Sequence, residues 1–217
     1  MDPTTPLSDL RQRRKGPHQG FPGGEPVWEL AYLYPPQGQW SEEAYLALPA
    51  NFMFEFTDGH VEVLPMPTMA HQLIVLALYR LLNDYVTARS LGWVLVAPLP
   101  VRLGPRVYRE PDVIFLAADR PERRAKEYPD GADLVMEVIS PGREDRRRDE
   151  VVKRAEYAAA GIAEYWIVDP GRAITVLRLE GDVYVEHGRF GPTAQAASAL
   201  LPGFVASVAA VFAAAQP

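Results

Sequence analysis

The chain has 217 residues, 48% hydrophobic and 23% charged, enough for one domain with a real core and too apolar for wholesale disorder. Its formal charge of −6 excludes a protein that coats nucleic acid nonspecifically, which needs a basic surface to release counterions, but leaves room for a local basic groove. Zero cysteines exclude disulfides and thiolate metal sites and suit a reducing, cytoplasmic compartment.

Residues 1–25 mix Pro, Gly, Gln and basic residues (Arg11, Arg13, Arg14, Lys15) without periodicity or a signal-peptide core, and are expected to form a weakly ordered arm. One domain is expected over 26–217. Val27 to Tyr34 suits an edge strand. Ser41-Glu42-Glu43 starts a short helix, with serine as N-cap and acids where the helix dipole favours them. Asn51 to Leu64 reads as a hairpin, with Phe52, Phe54 and Phe56 alternating, a turn at Asp58-Gly59, and Val61 and Val63 on the return. The longest helix is expected over Met69 to Ala88, with an apolar face of Leu73, Ala77, Leu81 and Val86 flanked by Leu78, Leu82 and Tyr85.

Trp93 to Val101 is strand material interrupted by Pro98 and Pro100, Gly104-Pro105 turns, and Asp112 to Ala117 is a short apolar strand. After a polar excursion over Asp119 to Gly131, Asp133 to Ser140 has the near-continuous apolar run of a strand buried on both faces. Arg146 to Ala160 is helical and closes at Gly161. Ala163 to Val168 is a second buried strand, and Ala173 to Glu186 a hairpin around Glu180-Gly181. From 191 onward nothing is charged, yet Pro202-Gly203 splits the stretch and the alanine-rich remainder is too short to span a bilayer. A docked terminal helix and no membrane association are expected. The order of elements predicts an α/β protein with an α+β-like mixed sheet flanked by helices and hairpins.

Two acids stand where packing alone would not put them. Glu137 lies inside a buried apolar strand, and Asp112 opens another just after Pro111. If the strands are neighbours the carboxylates converge, and at about 4 Å two anions repel by roughly 1–4 kcal/mol between water-like and protein-surface dielectrics. A hard divalent cation would relieve that. Strand alternation puts Glu137 and Ile139 on one face and leaves the Val138 carbonyl as a possible ligand.

Pro111-Asp112 followed by Glu137-Val138-Ile139 resembles a degenerate PD-(D/E)XK nuclease motif. Phe54-Glu55-Phe56-Thr57-Asp58-Gly59, His71-Gln72, Pro111-Asp112-Val113, Asp133 through Pro141, Lys153-Arg154-Ala155-Glu156-Tyr157 and Glu164 through Asp169 together resemble the Uma-two family of restriction endonucleases, from about Ser41 to Phe212. The resemblance implies a restriction-endonuclease-like core and hydrolysis of DNA phosphodiesters with Mg²⁺, or Mn²⁺ as substitute. It implies Asp112, Glu137 and the Val138 carbonyl as metal ligands, and Glu55 as a further acid that completes the shell or orients water. The superfamily's lysine is replaced by Ile139, and Lys153 on the following helix is the best substitute.

Blander readings compete. Asp112 suits a turn cap, and Glu55 the exposed side of a hairpin. Lys153 has the spacing of a surface ion pair with Asp149. His71 suits a helix start or the core, the run Arg143, Arg146, Arg147, Arg148 a solvated helix start, and Tyr165 and Trp166 packing. No Gly-x-Ser-x-Gly elbow, Walker loop or dinucleotide fingerprint occurs. A magnesium-dependent endonuclease acting as a homodimer is the expected function. The alternatives are a catalytically weak nuclease-fold module that binds nucleic acid or protein, and a small-molecule phosphoesterase.

Overall fold

A computed structural model describes residues 34–48, 53–124, 126–140 and 146–215. The expected arm over 1–25, the edge strand apart from Tyr34, and Phe52 and Arg143 lie outside the described residues. The chain opens with α1 (Glu42–Leu46), whose N-cap Ser41 accepts from the Ala44 amide as expected. The hairpin follows as β1 (Phe54–Thr57) and β2 (His60–Val63), turning through positive φ at Asp58 and Gly59.

The long helix α2 (Met69–Ala88) has the expected ends, but its buried face is rotated. Ile74, Val75, Leu78, Leu82 and Val86 are inside, while Leu73 and Leu81 are more than a third exposed. The run Leu73-Ile74-Val75-Leu76 is apolar all round, so periodicity alone does not choose the side that meets the sheet.

Beyond α2 come β3 (Gly92–Val96), β4 (Val101–Gly104), β5 (Val107–Arg109), β6 (Val113–Ala117) and β7 (Leu134–Val138). The expected strand over Trp93 to Val101 is thus two strands, parted where Pro98 and Pro100 withdraw ladder donors. A turn of π-helix, Arg148–Lys153, runs into α3 (Arg154–Ala159), and Gly161 closes it at φ 69. Then follow β8 (Glu164–Asp169), β9 (Ala173–Glu180), β10 (Val183–Phe190), β11 (Gln195–Ala197), β12 (Val205–Ser207) and α4 (Val208–Ala213).

The central sheet is mixed and six-stranded, in the order β10-β9-β8-β7-β6-β3, with β7 and β8 its parallel pair. A four-stranded sheet, β2-β1-β5-β4, lies beside it. Helix α2 and the β11–β12–α4 segment cover one face of the central sheet, meeting Leu134, Met136, Val138, Trp166 and Val168. Tyr157, Ala158 and Ile162 cover the other, meeting Ile114, Val135, Ile139, Tyr165 and Ile167. Tyr165 and Trp166 are fully buried, as packing residues should be. The terminal helix docks through Val208, Val211 and Phe212. No helix among the described residues is long and apolar enough to cross a membrane.

The C-terminal segment is fixed by a buried acid. Glu164, fully inaccessible, accepts from Trp166 Nε1 at 2.6 Å, Ser198 Oγ at 2.7 Å, and the Ala199 and Leu200 amides at 2.5 and 2.7 Å. Replacing it by Leu would strand several buried donors at about 1–3 kcal/mol each. Urea denaturation of Glu164→Leu should therefore show a loss above roughly 3 kcal/mol, with faster proteolysis near residue 199.

Candidate active site

Strand pairing brings the two expected acids together. Val113 faces Met136 across the antiparallel β6–β7 pair, so the next position puts Asp112 opposite Glu137. Asp112 Oδ2 accepts from the Val138 amide at 2.7 Å, which fixes the carboxylate against the end of β7. His71, in the first turn of α2, places Nε2 3.0 Å from the Val138 carbonyl and 3.3 Å from Asp112 Oδ2. Val138 packs toward α2 and Ile139 toward α3, the alternation expected from the sequence.

The lysine arrives from the helical crossover between β7 and β8. Lys153 ends the π-helical turn, and its Nζ lies 2.9 Å from Glu137 Oε1, 3.3 Å from Asp149 Oδ1 and 3.8 Å from Glu55 Oε1. Its spacing from Asp149 suits a surface pair, but Lys153 is only 6% exposed and the pair is buried. One turn on, the Tyr157 hydroxyl donates to Glu137 Oε1 at 2.5 Å.

Glu55 is likewise no exposed hairpin residue; it is buried beneath Lys153, Arg109 and Arg148. Arg148 bonds both Glu55 and Glu62, so this arginine reaches into the site and does not belong to a solvated helix start. Arg146 instead grips Asp169 through two bonds of 2.8 and 3.0 Å. Arg109 holds Glu156 at 2.8 and 2.5 Å and Thr57 Oγ1 at 2.8 Å, tying the four-stranded sheet to α3.

Asp112, Glu137, Val138 and Lys153 line one cleft of about 70 Å³ with His71 and Arg148. Glu55 is not in its lining and acts on the cleft through its neighbours. Burial pushes the Glu137 carboxyl up, against the opposing effect of Lys153. Burial opposes the Lys153 charge too, but Glu137, Glu55 and Asp149 outweigh it and hold the ammonium protonated. At Glu55 burial is overcome by Lys153, Arg109 and Arg148, and its pKa falls below the usual range. At His71 burial is overcome by the hydrogen bond and charge of Asp112, and its pKa rises.

The donor set suits a hard cation. Asp112 and Glu137 supply carboxylate oxygens and Val138 a carbonyl, and Glu137 stays strained toward its neutral form despite Lys153. Among the described residues no three His, Cys, Asp or Glu side chains gather as a metal-holding group. Two carboxylates and one carbonyl fit magnesium, which keeps several waters and needs few protein ligands.

Glu110 lines the same cleft, and the sequence alone assigns no site role to it or to Arg109, Asp149 and Tyr157. The four-residue spacing of Asp149, Lys153 and Tyr157 was an available signal, since it stacks all three on one side of a helix. Removing the ammonium alone leaves buried carboxylates uncompensated. Lys153→Met should cost about 3–5 kcal/mol in urea denaturation, with part recovered by adding Glu137→Gln.

Residues 42–209 match the Uma2 family, whose description is "Putative restriction endonuclease". The crystal structure of a protein from Anabaena variabilis, described as "a putative nuclease belonging to DUF820", superposes with a TM-score of 0.64 at 19% identity. The match covers 83% of this chain and 99% of that one, and at such identity the likeness is one of fold. No protein with a curated description matches. With most of its length matched by the family, the chain belongs to Uma2.

Proposed function

We propose that this chain is a metal-dependent endonuclease that hydrolyses DNA phosphodiester bonds. The observation that carries the reading is the contact of Lys153 with Glu137 at 2.9 Å beside Asp112. A nuclease site of this type needs two acids and a lysine, and here the lysine missing at Ile139 is supplied from the crossover helix. Membership of a restriction-endonuclease family supports DNA as the substrate. A homodimer in the cytoplasm is part of the proposal, because two sites related by a two-fold axis can cut both strands.

Asp112, Glu137 and the Val138 carbonyl would hold Mg²⁺ or Mn²⁺, which when bound supplies an acidified water and neutralises phosphate charge. The chain's own groups do the remainder. Asp112 is held in place by the Val138 amide, and His71 steadies the same peptide from its carbonyl side. Tyr157 donates to Glu137 and fixes its orientation. Lys153 keeps its proton and presents a positive charge where phosphate oxygens gain negative charge in the transition state. Arg148, partly open to the cleft, offers a second contact for a phosphate oxygen.

One observation favours the alternative, a nuclease-fold module with little chemistry. Lys153 already contacts Glu137, Asp149 and Glu55, so it partly balances these acids without a metal. Cleavage of supercoiled plasmid and single-stranded DNA, with Mg²⁺ or Mn²⁺ and with chelator, separates the two. Metal-dependent cleavage that falls at least ~100-fold in Asp112→Ala purified identically is expected. Equal activity in both proteins marks a contaminant, and silence in both favours the module. Among active variants, Lys153→Met should lower kcat by roughly 100–1,000-fold with a smaller change in KM, as loss of a group that acts in the transition state does.

A further inference from the structure

Glu110 stands one residue before Pro111-Asp112 and is 5% exposed. It lines the same cleft as Asp112, Glu137 and Lys153. Among the described residues its Oε2 has no hydrogen-bond partner and its carboxylate takes part in no ion pair. Among the described residues a backbone hydrogen bond from Phe54 stabilises its charge, while nearby Glu55 opposes it. Glu55 Oε1 also lacks a hydrogen bond among these residues, but each neighbouring acid, unlike Glu110, has a cationic partner. Glu137 and Asp149 meet Lys153, Glu55 meets Arg148, Arg109 and Lys153, and Asp112 meets the Val138 amide and His71.

A buried carboxylate oxygen left unpaired costs stability, and such cost persists where the group serves the site. With no three acids close enough to ligate one ion together, Glu110 fits the shell outside the ligands. Magnesium keeps waters whose hydrogens need acceptors, and outer acceptors of this kind tune both affinity and the placing of water. We propose that Glu110 is a positioning residue, whose Oε2 accepts a hydrogen bond from a water in the shell of the divalent cation held at Asp112 and Glu137. The inference rests on the metal-site reading above and gives a role to a residue on which that reading does not draw.

The test is Mn²⁺ binding to the full chain by isothermal titration calorimetry, with no DNA present, beside thermal melting of the metal-free protein. Glu110→Gln keeps the shape and the acceptor for Phe54 but removes the anionic acceptor. It should weaken Mn²⁺ binding about 10-fold or more, while the metal-free variant melts at or above the wild-type temperature. A merely structural glutamate would give the reverse pattern, lower melting with unchanged affinity, and that result would overturn the proposal. Glu110→Met, which removes the polar group altogether, should also bind Mn²⁺ more weakly. Asp112→Asn separates the two readings. If it abolishes Mn²⁺ binding while Glu110→Gln does not alter it, the role of Glu110 fails and the metal site stands. If Asp112→Asn leaves binding intact, both fail together.

Discussion

One ammonium group, Lys153 Nζ, sits among carboxylates from β1, β7 and the π-helical turn, and the layout of the domain turns on that contact. Glu137 is almost wholly buried, and an isolated carboxylate there would be driven to its neutral form. Charge can be kept only if the opposite sign is brought in with equal burial. The crossover helix brings that opposite sign from above the sheet, although burial still pushes the Glu137 carboxyl up. Because Glu55 belongs to the other sheet, the same cation also ties the four-stranded sheet to the six-stranded one, while Arg109 and Arg148 tie the four-stranded sheet to the crossover helix. Ion pairs so placed specify an arrangement more surely than they stabilise it, since desolvation consumes much of the attraction.

Strand β7 serves two cores and a site at once. Its alternate side chains feed both apolar clusters, and at Val138 the backbone takes over the polar work. The amide goes to Asp112 and the carbonyl faces His71, so an apolar side chain does not prevent the position from shaping the cleft. A sequence records side chains, and this part of the site is written in main-chain atoms.

Much of the fold was legible from pattern. Both buried strands, the hairpin turns, the ends of α2 and the capping of α1 follow from local chemistry, and local chemistry decided them. The buried face of α2 was not legible, because the run Leu73 to Leu76 is apolar on every side and only the sheet chooses among them. Burial of an acid also proved a weaker guide than it looks. Glu164 and Asp133 lie as deep in their strands' surroundings as Glu137, but Glu164 anchors the loop at 198–200 and Asp133 accepts from the Ala117 amide. Only partners distant in sequence separate a scaffold acid from a site acid. Glu55 and Arg148 make the same point, since neither has a local feature that announces its burial or its company.

The lysine's place on a helix has one more consequence. In an acid-x-lysine strand the two charges are two residues apart and travel together, whatever else has folded. Here fifteen residues separate Glu137 from Lys153, and they meet only when the crossover lies down on the sheet. A sheet formed without its helix would hold the acids face to face without the Lys153 counter-charge. Under the proposed reading, completion of the site would wait on completion of the domain, because the ammonium and the acids it meets come together only through long-range packing.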